Sequence, residues 1–172
     1  MKNVLIVIDM QNDFIDGAIG SCEAVSIVDN VAQKIREYKA RGDEIIFTKD
    51  THSENYLDTN EGKHLPVKHC IKGSKGWEIS DKLDTTNCKI IEKPTFGYTE
   101  WTKHLPQNED LTIEFVGLCT DVCVVSNAII IKAQFPNANL KVDASCCAGI
   151  TPQTHSSALA TMQSCHIEII NR

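Results

Sequence analysis

Residues Asn3-Val-Leu-Ile-Val-Ile-Asp9 are apolar at five consecutive positions and end in an acid. A strand with one wet face alternates apolar and polar residues, so an unbroken run rich in Val and Ile fits a strand buried on both faces of a parallel sheet. The rest of the chain agrees with that demand. Ile27, Val31, Ile35 and Tyr38 share one face of a helix that closes with Lys39 and Arg41 before Gly42. Further strands are expected at residues 44–48, 88–92, 111–116, 140–143 and 166–170. Between them, 98–105 reads as a short helix, Val124, Ala128, Ile131 and Phe135 as a helix stopped by Pro136, and Thr151-Pro152 as the start of a last helix. Strands alternating with helices give an α/β fold, a six-stranded sheet covered on both faces.

At 172 residues the chain has the usual size of one domain, and a single domain over residues 1–172 is expected. No apolar run approaches the ~20 residues of a membrane span, and no charged leader precedes the first strand, so a cytoplasmic protein with no membrane partner is expected. A net charge of −6 without a Lys/Arg cluster argues against a nucleic-acid partner. The eight cysteines follow no disulfide or zinc-finger spacing and are read as reduced thiols.

In parallel α/β sheets chemistry gathers at the carboxyl ends of the strands. Asp9 ends the first strand, Asp50 and His52 follow the second, and Lys93 follows the third. Gly117-Leu118-Cys119-Thr120-Asp121-Val122-Cys123 joins the fourth strand to its helix, with Thr120 or Asp121 as its expected cap. A cysteine in that first turn faces unpaired N–H groups and the positive end of the dipole, which favour a thiolate. An isolated cysteine is usually an inert buried residue. A carboxylate to take its proton and a lysine to hold that carboxylate ionised change the reading to a hydrolase-like triad of Asp9, Lys93 and Cys123. The polar stretch 49–75 is too long for a structureless connection and is expected to be functional. It carries Asp50, His52 and His69, with Glu61 or His64 between them, a donor set suited to Zn²⁺ or a similar divalent ion.

Five blocks carry a resemblance: Val7-Ile-Asp-Met-Gln-Asn-Asp-Phe14, Thr48-Lys-Asp-Thr-His52, Leu65-Pro-Val-Lys-His-Cys70, Glu92-Lys-Pro-Thr-Phe-Gly97 and Gly117 to Cys123. In this order they resemble the isochorismatase-like cysteine hydrolases, and within them the nicotinamidase-like branch. The resemblance implies a Rossmann-like three-layer α/β/α fold with a mainly parallel sheet, the Asp9, Lys93, Cys123 triad, and a cis peptide before Cys119 that turns the backbone N–H groups of Cys119 and Cys123 into an oxyanion hole. It also implies a metal at Asp50, His52 and His69, with Glu61 as an added ligand in some relatives, zinc first and Fe²⁺ or Mn²⁺ as alternatives. The implied activity is hydrolysis of nicotinamide to nicotinate and ammonia through a thioester, in a protein that is commonly a homo-oligomer. Phe14 matches the phenylalanine of the substrate clamp, but Leu65 stands where the branch carries tryptophan, and Tyr98 or Trp77 is the expected substitute. The alternatives are a metal-free amidase acting on a carbamoyl or ureido compound, an isochorismate-type ether hydrolase, disfavoured because such members do without the nucleophilic cysteine, and a non-catalytic metal- or ligand-binding domain on the same fold.

Overall fold

The computed structural model describes residues 2–107 and 110–172. Six strands, β1 (Lys2–Ile8), β2 (Glu44–Asp50), β3 (Lys89–Lys93), β4 (Leu111–Leu118), β5 (Asn139–Ala148) and β6 (Glu168–Ile170), form one sheet in the order β3-β2-β1-β4-β5-β6. Every pairing is parallel. The order reverses between β1 and β4, which leaves a crevice beyond their carboxyl ends.

Helices cover both faces: α1 (Asn12–Ile15), α2 (Cys22–Ser26) and α3 (Val28–Arg41) one, α5 (Val125–Gln134) and α6 (Pro152–Ser164) the other, while α4 (Asn60–His64) lies in the long β2–β3 connection. Strand alternation assigns the faces residue by residue. Leu5 and Val7 of β1 pack with Val31 and Ile35 of α3, whereas Val4, Ile6 and Ile8 pack with Ala128 and Ile131 of α5 and Met162 of α6. This double burial is what the apolar first strand demands: Val4 to Ile8 are fully buried. At ~0.8 kcal/mol per buried CH₂, the strand makes a large contribution to the core. Gly42, left-handed at φ 73°, ends α3, and Thr151 caps α6 through the Thr154 N–H.

The structure departs from the expectations at several places. The 98–105 stretch makes only a 3₁₀ turn, Trp101–Lys103, whose Lys103 and His104 N–H groups reach back three residues to Glu100 O and Trp101 O, and Pro106 leaves no room for it to lengthen. Neither Thr120 nor Asp121 caps the helix that follows β4. Cys119 holds the cap position, a π-type turn (Thr120–Val124) leads into α5, Thr120 Oγ1 is bonded to His155 Nδ1 at 2.8 Å, and Asp121 accepts the Ile150 N–H. β5 runs on to Ala148 past a register shift opposite Phe115 and Gly117, and β6 begins two residues later than expected because His166 turns at φ 60°.

Candidate active site and metal centre

Adjacent strands deliver four reactive side chains to one sheet edge. Asp9 follows β1 in the left-handed region at φ 47°, Asp50 ends β2, Lys93 ends β3, and β4 opens into the turn bearing Cys119 and Cys123. Gly117 makes that delivery possible, since its φ is 117° and an added Cβ would lie 2.1 Å from Ile8 O. Only glycine lets β4 approach β1 so closely. The Leu118–Cys119 peptide bond is cis.

Lys93 is the electrostatic centre. Its Nζ lies 2.6 Å from Asp9 Oδ2, 3.5 Å from Cys123 Sγ and 3.3 Å from Asp50 Oδ1, and it donates to Thr95 O at 3.1 Å. Asp9 and Lys93 are fully buried, and Thr48 Oγ1 donates to Asp9 Oδ1 at 2.6 Å. Burial lifts the Asp9 pKa, and the neighbouring Lys93 charge only partly offsets it. Burial opposes a charged Lys93, yet Asp9 and Cys123 outweigh it and hold the ammonium above its usual range. The Cys123 thiol is pushed well up, first by burial and then by the charge of Asp9. The resting group is therefore a neutral thiol, not the thiolate that the helix terminus alone favours. A carboxylate made more basic than usual stands ready to receive its proton. Cys119, with a thiol pushed up to about 12 by burial, contributes an inert side chain.

Beside this trio, one ligand atom from each of Asp50, His52, Glu61 and His69 lies within 4.8 Å of the others. Glu61 reaches the cluster from α4, whereas His64 is exposed and bonded to Asn60 O. His69 Nδ1 is held by Val67 O at 2.8 Å, which orients the ring so that Nε2 faces the cluster. His52 Nε2 is buried 2.9 Å from Asp50 Oδ2 but makes no aligned hydrogen bond. Burial opposes charge on His52, and Asp50 nonetheless raises its pKa, so the cluster attracts positive charge. An orphaned imidazole nitrogen among carboxylates fits a divalent cation better than a hydrogen-bond network.

Cys123 of the trio and Asp50, Glu61 and His69 of the cluster line one cavity of about 180 Å³, together with Cys119, Phe14, Ile19, Leu65, Phe96, Val122 and Ile150, while Asp9 and Lys93 are buried behind Cys123. Phe14 sets its ring edge-on to His69, with centroids 5.7 Å apart. Tyr98 and Trp77 do not line this cavity. The Tyr98 ring stands edge-on to Trp101 with its hydroxyl on His104, and Trp77 lies under the Lys49 ammonium with its Nε1 donating to Thr51. Phe96 supplies the second aromatic side chain at the mouth. Sequence reasoning passed over Thr48, although it points with Asp50 by strand parity. It also passed over Gln11, whose side chain brackets the Asp50 backbone.

The isochorismatase domain model matches residues 3–172. The chain belongs to the isochorismatase family. Among its solved relatives, a pyrazinamidase of Pyrococcus horikoshii in complex with zinc superposes with a TM-score of 0.86 at 28% identity, covering 100% of both chains. The nicotinamidase/pyrazinamidase of Bacillus subtilis gives 0.85 at 25% identity, covering 98% of this chain and 99% of that one. The nicotinamidase/pyrazinamidase of Mycobacterium tuberculosis is 26% identical over 185 residues, covering 96% of this chain and 97% of its own. Within this isochorismatase fold, the candidate site lies at the switch point between β1 and β4.

Proposed function

We propose that this isochorismatase-family protein is a cysteine-dependent amidohydrolase whose leading substrate is nicotinamide. The observation that carries the reading is that Cys123, backed by the buried Asp9–Lys93 pair, lines one small apolar cavity together with Asp50, Glu61 and His69 of the four-residue cluster. The likeness to zinc-bound pyrazinamidase and to nicotinamidases supports it.

In the mechanism, Asp9 takes the Cys123 proton, the sulfur attacks the amide carbonyl, and the N–H groups of Cys119 and Cys123 stabilise the oxyanion. Protonated Asp9 then gives its proton to the leaving ammonia. Lys93 keeps the site cationic through both steps, so the negative charge passes between sulfur, carboxylate and carbonyl oxygen without being left unpaired in a buried site. Asp9 next deprotonates a water that attacks the thioester and frees the acid. Asp50, His52, His69 and Glu61 would hold a divalent cation, Zn²⁺ first and Fe²⁺ or Mn²⁺ as alternatives, which when bound supplies a Lewis acid for a ring nitrogen of the substrate. Phe14, Leu65 and Phe96 would enclose the ring.

Leu65 favours a second reading, another small amide of the same reaction class, because it offers no stacking face. Ammonia release from nicotinamide and a panel of carbamoyl and ureido compounds separates the two. Cys123→Ala should abolish release while the protein stays folded, and retained turnover overturns the nucleophile.

A further inference from the structure

We infer that Asn127 is a positioning residue for the substrate cavity: by clamping the 96–98 loop to the helix behind Cys123, it sets how the Phe96 ring stands against the nucleophile. The inference rests on the amidohydrolase reading above.

Asn127 lies on α5, four residues after Cys123, and is fully buried. Its Nδ2 donates to Cys123 O at 2.8 Å and to Phe96 O at 3.0 Å, while its Oδ1 accepts from Tyr98 N at 2.9 Å and Trp101 Nε1 at 3.1 Å. Both amide protons and both lone pairs are thus used, and a flipped amide would set its NH₂ against two N–H donors. Asparagine is a poor helix former and a costly core residue unless its polar groups are needed. Here three of the four bonds go to the nucleophile's own carbonyl or to the 96–98 loop that walls the cavity, and the fourth holds Trp101 Nε1.

Phe96 is 44% exposed, so the core does not hold its ring and its placement depends on its backbone. That backbone is held at Phe96 O by Asn127, and one residue earlier at Thr95 O by Lys93. Gly97 presses the loop onto α5, where an added Cβ would stand 2.4 Å from Ile130 Cδ1. The loop is therefore fixed between the triad lysine and the nucleophile helix, and Asn127 is the link on the helix side.

Asn127→Asp keeps the acceptor for Tyr98 and Trp101 but turns an oxygen toward the Phe96 and Cys123 carbonyls. It should raise KM for nicotinamide on the order of fivefold to tenfold with kcat within about twofold, since a small misplacement of a positioning wall weakens substrate fit. On a Phe96→Ala background the same substitution should add nothing, because the clamp acts through that ring. A measurement that needs no turnover is the ratio of Cys123 alkylation by N-phenylmaleimide to that by iodoacetamide, read on the Cys123 peptide by mass, which should rise as the wall loosens. Asn127→Ala, which removes the clamp without adding a buried charge, should reproduce the KM rise. That variant decides the matter if Asn127→Asp does not fold. Additive KM effects of Asn127→Asp and Phe96→Ala, kcat falling as much as KM rises, or an unchanged alkylation ratio would each overturn the inference. A wild-type protein that releases no ammonia from nicotinamide overturns the proposed function instead, and the alkylation ratios then still decide the role of Asn127.

Discussion

Gln11 brackets the backbone of Asp50 from both sides: its Oε1 accepts the Asp50 N–H at 2.7 Å and its Nε2 donates to Asp50 O at 2.9 Å. A third bond, from Nε2 to Trp77 O at 2.8 Å, ties the start of α1 to the loop beyond the cluster. Gln11 touches no cluster atom, yet it fixes the strand end that presents the Asp50 carboxylate. Outer groups that orient a ligand typically change metal affinity by ~10–100-fold. Gln11→Ala should therefore weaken Zn²⁺ binding by about tenfold, read by competition with a chromogenic chelator, with four donors still present. Unchanged affinity would show that Asp50 needs no such clamp.

The Asp9–Lys93 pair makes an opposite-signed pair of predictions. Lys93 is enclosed by Asp9, Asp50 and Cys123, and its side chain and that of Asp9 are 0% exposed. Removing one partner of a buried ion pair leaves a desolvated charge and costs ~3–5 kcal/mol, whereas replacing both can be nearly neutral. Lys93→Met should therefore lower stability to urea by about 3 kcal/mol, and Asp9→Asn combined with Lys93→Met should recover most of it while remaining inactive. A single Lys93→Met as stable as wild type refutes the idea that the lysine neutralises this site.

Much of this was legible in residue pattern, and the limits have physical causes. The five-residue apolar run of β1 implied burial on both faces, and the acid, lysine and thiol at strand ends implied a shared edge, because parallel strands put their carboxyl ends together. Side-chain choices within loops were not legible. Tyr98 looked like a replacement for a missing aromatic ring, but the Asn127 amide captures its N–H and packing turns the ring onto Trp101, so that Phe96, two residues earlier, meets the cavity. Glu61 and His64 were equivalent candidates on composition. The Thr59 cap starts α4 so that Glu61 faces His52 and His69, while His64 folds back on Asn60. The raised thiol of Cys123 has a related cause: helix position favours a thiolate, but burial beside a carboxylate is a larger effect that no sequence window displays.

On the opposite face of the sheet, Lys34 bridges Glu114 and Asp143 at 2.7 Å each, and Tyr38 donates to Glu114 at 2.8 Å. Burial works to raise the Asp143 pKa, but Lys34, Ser145 and Asn171 bond the charged form and leave it lowered. A carboxyl with a depressed folded-state pKa stabilises the fold above its unfolded value of about 4, and that contribution is lost as pH falls through the folded value. Asp143→Asn should thus melt below wild type at pH 7, and the gap should narrow as pH drops under about 4. A gap that is constant from pH 7 to pH 3 would mean that the charge of Asp143 contributes nothing.

Leu65 is the position where this chain departs from the nicotinamidase-like pattern, and the structure makes it a tractable one. It lines the cavity opposite Phe14 and Phe96, is 39% exposed, and its carbonyl is fixed by the Tyr56 hydroxyl at 2.9 Å. A larger side chain there has solvent to grow into, so the anchored backbone need not move. A favourable aromatic pair contributes ~0.5–1.5 kcal/mol beyond area burial, which corresponds to roughly twofold to tenfold in an equilibrium constant. Leu65→Trp should therefore lower KM for nicotinamide within that range, with little change for an amide lacking a ring, because only the ring-bearing substrate has a π-face to stack. Steady-state ammonia release on both substrates measures the contrast. If KM for nicotinamide is unchanged or rises, the ring does not lie along the Leu65 wall, and the amide accepted by this cavity is bound chiefly through Phe14, Phe96 and the Asp50 cluster.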